Sequence, residues 1–309
     1  MSSIFTLSIV QSALELGLIY SLVALALFIS FSILNIADLS TDGCFTLGCA
    51  VCAMVTIAGH PVLALFAAMA AGICSGYITA FLQTKMGIES ILAGIIVNTG
   101  LYTINIAVMG FASNINLFNR DTIFSIAKNA IGGNWYKIFV VAGIVLVVGL
   151  LLAWFLNTRL GLSIRATGDN ASMVSASSIN PTMTVTVGLC VANALTALSG
   201  GILGQYQKSC DINLGTGMVT IALASLIIGE SLIGKGSVVR RVIGVVVGSC
   251  LYRFIVAVAL RLSVPAECLK LVSAIIVAVA IAFPYLKKHA AFVRQKSNAK
   301  SHIKNGGMQ

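Results

Sequence analysis

Long apolar runs, separated by polar stretches too short to hold a soluble domain, dominate this sequence. They fall at 4–34, 43–59, 61–84, 88–110 and 136–157, and again at 183–207, 218–233, 236–260 and 265–286. A helix needs about 20 apolar residues to cross the hydrocarbon core of a bilayer. The runs therefore predict an all-α polytopic membrane protein with about nine or ten spanning helices. Charge agrees: 19 Lys+Arg and 9 Asp+Glu make 9% of the 309 residues, where a globular norm is about 25%. So few charges cannot clothe a water-exposed surface. A cytosolic enzyme, a nucleic-acid binder and a disordered hub are all excluded as readings.

The net charge of +10 is not spread evenly. Lys287, Lys288, Arg294, Lys296, Lys300 and Lys304 follow the last apolar run with no acid among them, which reads as a cytoplasmic end. No Lys or Arg precedes the first run, so that run reads as a retained helix with no cleavable leader. Counting crossings back from a cytoplasmic tail places 158–182, Lys235, Arg240 and Arg241 inside and 111–135 outside. The membrane-embedded part spans 1–286 as two halves, about 1–157 and 183–286, joined by 158–182. A basic tail follows over 287–309. Five crossings before residue 158 put Met1 outside; a re-entrant piece at 35–48, where Asp38 and Asp42 interrupt two apolar runs, would put it inside.

A faint echo links the halves. Asp38-Leu-Ser-Thr-Asp-Gly43 with Thr46 is similar to Asp211-Ile-Asn-Leu-Gly-Thr-Gly217 with Thr220, each following a long apolar helix. Transporters carry internal repeats with interrupted helices at matching places, although Gly/Thr/Leu-rich sequence also produces such likeness by chance. A carboxylate at bilayer depth costs several kcal/mol unless it faces water or a partner. Asn35, Asp38, Thr41 and Asp42 thus form a candidate translocation pathway, and Glu230 joins them, with capping or pairing to Lys235 as its plainer account. Glu15 and Glu89 lie near run ends and read as interface residues. Asn98 and Asn105, seven residues apart, share one helix face, either to hydrogen-bond a neighbouring helix or to meet substrate.

Other patterns carry less. Gly229 to Gly236 fits G-x4-G-K, but Gly236 stands where a phosphate-binding loop needs Ser or Thr for magnesium; the chain itself holds no ATPase site. Cys44, Cys49 and Cys52 sit in an apolar helix with no fourth cysteine at a suitable distance, so packing explains them better than an iron–sulfur cluster. Gly72/Gly76, Gly200/Gly204 and Gly244/Gly248 give the small-xxx-small pattern of close helix contact. No enzyme motif appears, and no metal site or bound cofactor is expected.

The stretch Gly161 to Pro181 is the most specific. Asp169 or Asn170 can cap a short helix over 171–177, and Ile179-Asn180-Pro181 breaks it before the next run. The pattern Arg165-Ala-Thr-Gly168-Asp169-Asn170, then Met173, Ser178, Ile179 and Asn180, followed by Leu198-Ser-Gly-Gly201, resembles the coupling segment of bacterial ABC importer permeases of the branched-chain amino acid and ribose class. Asp38 to Gly48, Gly204-Gln-Tyr-Gln207 and Leu223 to Glu230 resemble the group associated with aromatic amino acid uptake. Ser175 departs where a basic residue is common, and Ser178 where Gly is usual. The resemblance implies a multi-pass permease of the bacterial cytoplasmic (inner) membrane with the helical fold of vitamin B12-type importers. It further implies a homodimer, two cytoplasmic ATPase subunits that bind ATP and Mg, an extracytoplasmic binding protein and an amino acid substrate. An ion-coupled secondary transporter is the alternative raised by the Asp38/Asp42 region and the half-repeat.

Overall fold

The computed structural model describes residues 7–261 apart from Asn134 and Lys235, and beyond them only Leu271, Ala274, Ile275, Ala278, Val279 and Ala282. The first six residues, Lys235, most of the last apolar run and the basic tail lie outside the described residues. Helix α1 (Leu7–Leu27) continues as a π-helical turn over Phe28–Ile33. It is followed by α2 (Thr41–Ile57), α3 (Pro61–Thr84), α4 (Ser90–Val108), α5 (Ile123–Ile131) and α6 (Tyr136–Asn157). Then come α7 (Arg159–Asp169), α8 (Ala171–Ala176), α9 (Pro181–Gln207), α10 (Met218–Ile233) and α11 (Val238–Arg261).

Six of these helices are long and apolar enough to cross a membrane: the first with its π turn, α3, α4, α6, α9 and α11. Helices α2 and α10 have 17 and 16 residues. At 1.5 Å per residue each spans about 25 Å, short of the roughly 30 Å core of a bilayer. The all-α expectation holds but for a two-stranded ribbon, β1 (Asn114–Asn116) antiparallel to β2 (Ser209–Asp211).

Helix α9 is the axis of the bundle, and small residues set how closely its neighbours approach. A Cβ on Gly48 of α2 would collide with the Ala197 backbone, and one on Gly200 with the Phe45 carbonyl. Gly72 and Gly76 of α3 lie against the backbone at Asn193 and Leu189, and Gly248 of α11 lies against Ser225 and Gly229 of α10. The three small-xxx-small pairs are therefore contact faces: backbones meet directly at most of these glycines, and Gly204 receives the Cys49 Sγ. Helix α1 is buried over most of its length. In contrast α6 exposes Leu146, Leu150, Leu151 and Trp154, an apolar outer face suited to lipid.

The bundle has two chemically different ends. At one, α4 and α9 finish, the β-ribbon forms, and α5 begins with a capping box in which Thr122 Oγ1 accepts the Ser125 N–H and Ser125 Oγ accepts the Thr122 N–H. At the other, α7 lies against the end of the first helix: a Cβ on Gly168 would strike the Ile33 carbonyl. Arg241 reaches the same end through Ser32. The 111–135 and 158–182 segments thus occupy opposite ends, with Arg241 on the side of 158–182. The 158–182 segment holds more order than a loop with one short helix, because Thr158 accepts the Gly161 N–H and starts α7.

Candidate functional site

Two of the helices begin inside the bundle. Helix α2 runs parallel to α9 but starts beside its middle, where Cys44 Sγ donates to the Asn193 carbonyl at 3.4 Å. The six residues 35–40 carry the chain, without regular structure, from the end of the first helix to that point. After β2, residues 212–217 bring the chain to the start of α10, again without a regular helix.

The two starts meet. Asp42, in the first turn of α2, spans to the N-terminus of α10: Oδ2 accepts the Gly217 N–H and Oδ1 the Val219 N–H, both at 2.9 Å. A carboxylate is well placed there, since the first amides of a helix lack intrahelical partners and carry partial positive charge. Gly215 donates its N–H to Thr46 Oγ1 at 3.1 Å, and a Cβ there would overlap the Asp42 carbonyl. The paired Asp-to-Gly stretches of the two halves are thus bonded to each other.

Beside this junction is a cavity of about 390 Å³ between the first turns of α2, the face of α4 from Asn98 to Asn105, and residues 212–216. Asp42, Asn98 and Asn105 all line it, with Thr46, Thr99, Tyr102, Thr103, Asn213 and Thr216. Asn98 and Asn105 share a face of α4, as their spacing predicts. Asn105 is 1% exposed and donates Nδ2 to the Gly43 carbonyl at 3.1 Å, while its Oδ1 has no partner among the described residues.

Asn35, Asp38 and Thr41 belong to the segment that leads into α2, outside the cavity lining, with Asn35 exposed at its start. Asn35 ends the first helix with φ of +59°, a left-handed conformation that Asn tolerates better than most residues. Asp38 is buried, and both its oxygens are used. Oδ1 accepts the Ser40 N–H at 2.8 Å and the Ser40 hydroxyl at 2.6 Å; Oδ2 accepts Asn193 Nδ2 at 2.9 Å. Thr41 Oγ1 donates to the Asp38 carbonyl, and Thr79 of α3 donates to Ser40 Oγ. Asp38 therefore fastens the interrupted stretch to α9, while Asp42 faces the cavity. Glu230 is elsewhere, at the far end of α10, where Oε1 pairs with Arg241 at 2.6 Å and accepts the Ser32 hydroxyl at 2.7 Å. Glu15, near the start of the first run, is buried and accepts the Tyr206 hydroxyl at 2.7 Å.

At the α7–α8 end, Asn170 is the cap, its Oδ1 accepting the Met173 N–H at 3.0 Å, while Asp169 closes α7. Only Val174 of α8 is buried, so Met173 and its neighbours face outward. Ser178 holds φ of +60° and Asn180 caps α9 by accepting the Thr182 N–H. Arg165 is half-buried on α7 and Ile179 half-buried before α9, while Gly168 touches Ile33.

Several contributors escaped the sequence reading. Asn193 and Arg241 are polar residues in apolar helices, a signal in itself, but nothing local names their partners. Tyr102 sits between Thr99 and Thr103 on the face of Asn98 and could have been read with them. Arg253 of α11 packs its guanidinium 3.8 Å over the Tyr20 ring, and no local feature announces that. Cys44, Cys49 and Cys52 are buried thiols, and among the described residues no group of three potential ligands could hold a metal.

Known permease proteins are similar to this chain in sequence over most of its length. A tyrosine transport system permease protein of Clostridioides difficile (strain R20291) is 33% identical over 297 residues, covering 94% of this chain and 98% of that protein. The ribose import permease protein RbsC of Escherichia coli (strain K12) is 27% identical over 233 residues, covering 71% of this chain and 67% of the relative. No solved structure gives a significant match. The model of the branched-chain amino acid transport system permease component matches residues 9–281, and the chain belongs to that family.

Proposed function

We propose that this chain is the membrane permease of an ATP-driven importer of small polar solutes, with an aromatic amino acid such as tyrosine as its substrate. The observation that carries the reading is the polar cavity at the junction of two interrupted helices. Irregular backbone at bilayer depth is tolerated where it is buried in protein or lines a cavity. The tyrosine transport relative supports the substrate class.

The mechanism divides between the two ends. The α7–α8 end is cytoplasmic under the positive-inside rule, and the exposed face of α8 around Met173 docks an ATPase subunit that binds ATP and Mg. Gly168 bears on Ile33, and Leu34 packs against Gly188. Movement of α7 is thereby transmitted to residues 35–40 and on to Asp42 at the cavity. Two copies of the chain, two ATPase subunits and an extracytoplasmic binding protein complete the assembly, with the pathway along the dimer axis. Asp42, Asn98 and Asn105 face the solute; Asn35, Asp38 and Thr41 shape the segment that leads into α2. Glu230 and Arg241 hold α10 to α11 where the cytoplasmic side opens.

The test is ATP-driven uptake into vesicles holding the purified complex, with labelled tyrosine, leucine, ribose and a nucleoside. Tyrosine accumulation that requires ATP and the binding protein is the expected result. Interrupted helices at matching places also occur in ion-coupled transporters; uptake driven by an ion gradient without ATP would establish that reading instead.

A further inference from the structure

The charge of the cavity lining is one-sided: among the described residues it holds one carboxylate and no cation, beside hydroxyls and side-chain amides. Asp42 offers a carboxylate, and Asn105 offers an amide oxygen that no described group engages. The orientation of that amide is fixed, because its Nδ2 donates to the Gly43 carbonyl and the flipped form would set two acceptors against each other. A buried carbonyl without a partner is costly. On the other wall, the backbone amides that could receive an anion are already taken: Gly215 by Thr46, Gly217 and Val219 by Asp42, and Asn213 by Asp211. No Lys or Arg lines the cavity among the described residues.

Resting on the permease reading above, we infer that this cavity is a subsite for the protonated amine of the transported solute, with Asn105 Oδ1 and Asp42 as acceptors. An ammonium carries three donors and a positive charge, and so matches an acceptor-rich pocket containing a carboxylate. A carboxylate would meet Asp42 unfavourably and find no free cation. The volume falls in the range of small-molecule sites, which begins near 300 Å³, and Tyr102 at its rim offers a ring to an aromatic side chain. The acid group of an amino acid therefore points away from this wall.

Binding to the full-length chain in lipid nanodiscs, without ATPase or binding protein, tests the subsite apart from the permease reading. The probes are labelled L-tyrosine with unlabelled tyramine, 3-(4-hydroxyphenyl)propionate and D-ribose as competitors. Tyramine, which keeps the amine and lacks the acid, is expected to compete within about fivefold of tyrosine. Hydroxyphenylpropionate, which keeps the acid and lacks the amine, is expected to be at least tenfold weaker. Asn105→Leu should weaken tyrosine by tenfold or more; Asn98→Leu, at a half-buried position on the cavity rim, covers the case in which the first variant does not fold. Equal competition by amine and acid, no binding of either amine, or unchanged binding in the folded variants overturns the subsite. Loss of ATP-driven uptake by wild-type complex, with amine binding intact, would instead remove the importer reading and leave the subsite standing.

Discussion

Asp42→Asn weakens the cap that joins α2 to α10 and has a calculable effect. The carboxylate accepts two backbone N–H groups, Gly217 and Val219, one on each oxygen. Asparagine keeps one acceptor oxygen, so one bond survives without its charge. The other oxygen becomes an NH2 that faces an N–H, donor against donor. Hydrogen bonds to a charged group contribute about 1.5–3 kcal/mol, and an orphaned buried amide costs about 1–3 kcal/mol. Adding up to about 1 kcal/mol for the lost charge at a helix N-terminus gives roughly 2.5–7 kcal/mol against the α2–α10 junction. In the middle of that range the closed-to-open ratio of the junction falls by more than about a hundredfold. Reconstituted complex carrying Asp42→Asn should assemble and bind its ATPase partner, yet retain under about a tenth of wild-type uptake. Thr103→Val, which alters the cavity but not the cap, should leave thermal stability unchanged. Wild-type uptake and melting temperature in Asp42→Asn would refute the reasoning, because the junction would then carry no energetic weight.

Gly168→Ala places a methyl against the Ile33 carbonyl; overpacking of that kind costs about 1–3 kcal/mol, and ATP hydrolysis should continue while uptake per ATP falls at least threefold. Ser178 adopts φ of +60°, so Ser178→Gly relieves about 1 kcal/mol of left-handed strain and should slow proteolysis within 158–182. Glu230→Gln removes the anion bonded to Arg241 and Ser32 and should lower thermal stability by about 2 kcal/mol, with partial recovery in the Glu230→Gln/Arg241→Met double variant. Cysteine introduced at Ser163 should react with an impermeant maleimide only from the cytoplasmic side and at Ser113 only from outside, in a Cys-depleted background; labelling of Ser163 from outside would invert the orientation.

Much of the scaffold was legible because it follows from local rules. The bounds of the runs at 61–84, 136–157 and 218–233 coincide with α3, α6 and α10, since apolar length alone fixes them. The glycine pairs were legible for the same reason: a small residue repeated at four-residue spacing has few uses in a membrane helix except close contact. What stayed hidden is the pairing of distant polar residues. Asn193 meets Asp38 across 155 positions, and Arg241 meets Ser32 across 209. A polar residue in an apolar helix announces that it has a partner, but its neighbours in sequence do not say which.

The two acids of the 38–42 stretch show where that limit falls. In sequence they read alike: two aspartates four residues apart in one short stretch with Asn35, Ser40 and Thr41, each too costly to face lipid. The structure gives them opposite tasks because α2 starts between them, at Thr41. Asp38 precedes the helix, so its carboxylate turns back onto the Ser40 N–H and hydroxyl, and its second oxygen is met by Asn193. Asp42 lies within the first turn, so its side chain projects from the helix toward the start of α10 and the cavity. Neutralising Asp38 should accordingly release residues 35–40 from α9, the same segment on which Gly168 bears through Ile33. Asp38→Asn is thus expected to resemble Gly168→Ala in its coupling ratio more than Asp42→Asn in its binding of solute. Uptake per ATP measured beside tyrosine binding distinguishes the two patterns: a variant that binds tyrosine as wild type does but moves less of it per ATP supports a transmitting role. A loss of binding equal to that of Asp42→Asn would place Asp38 functionally in the cavity, despite its burial outside the lining.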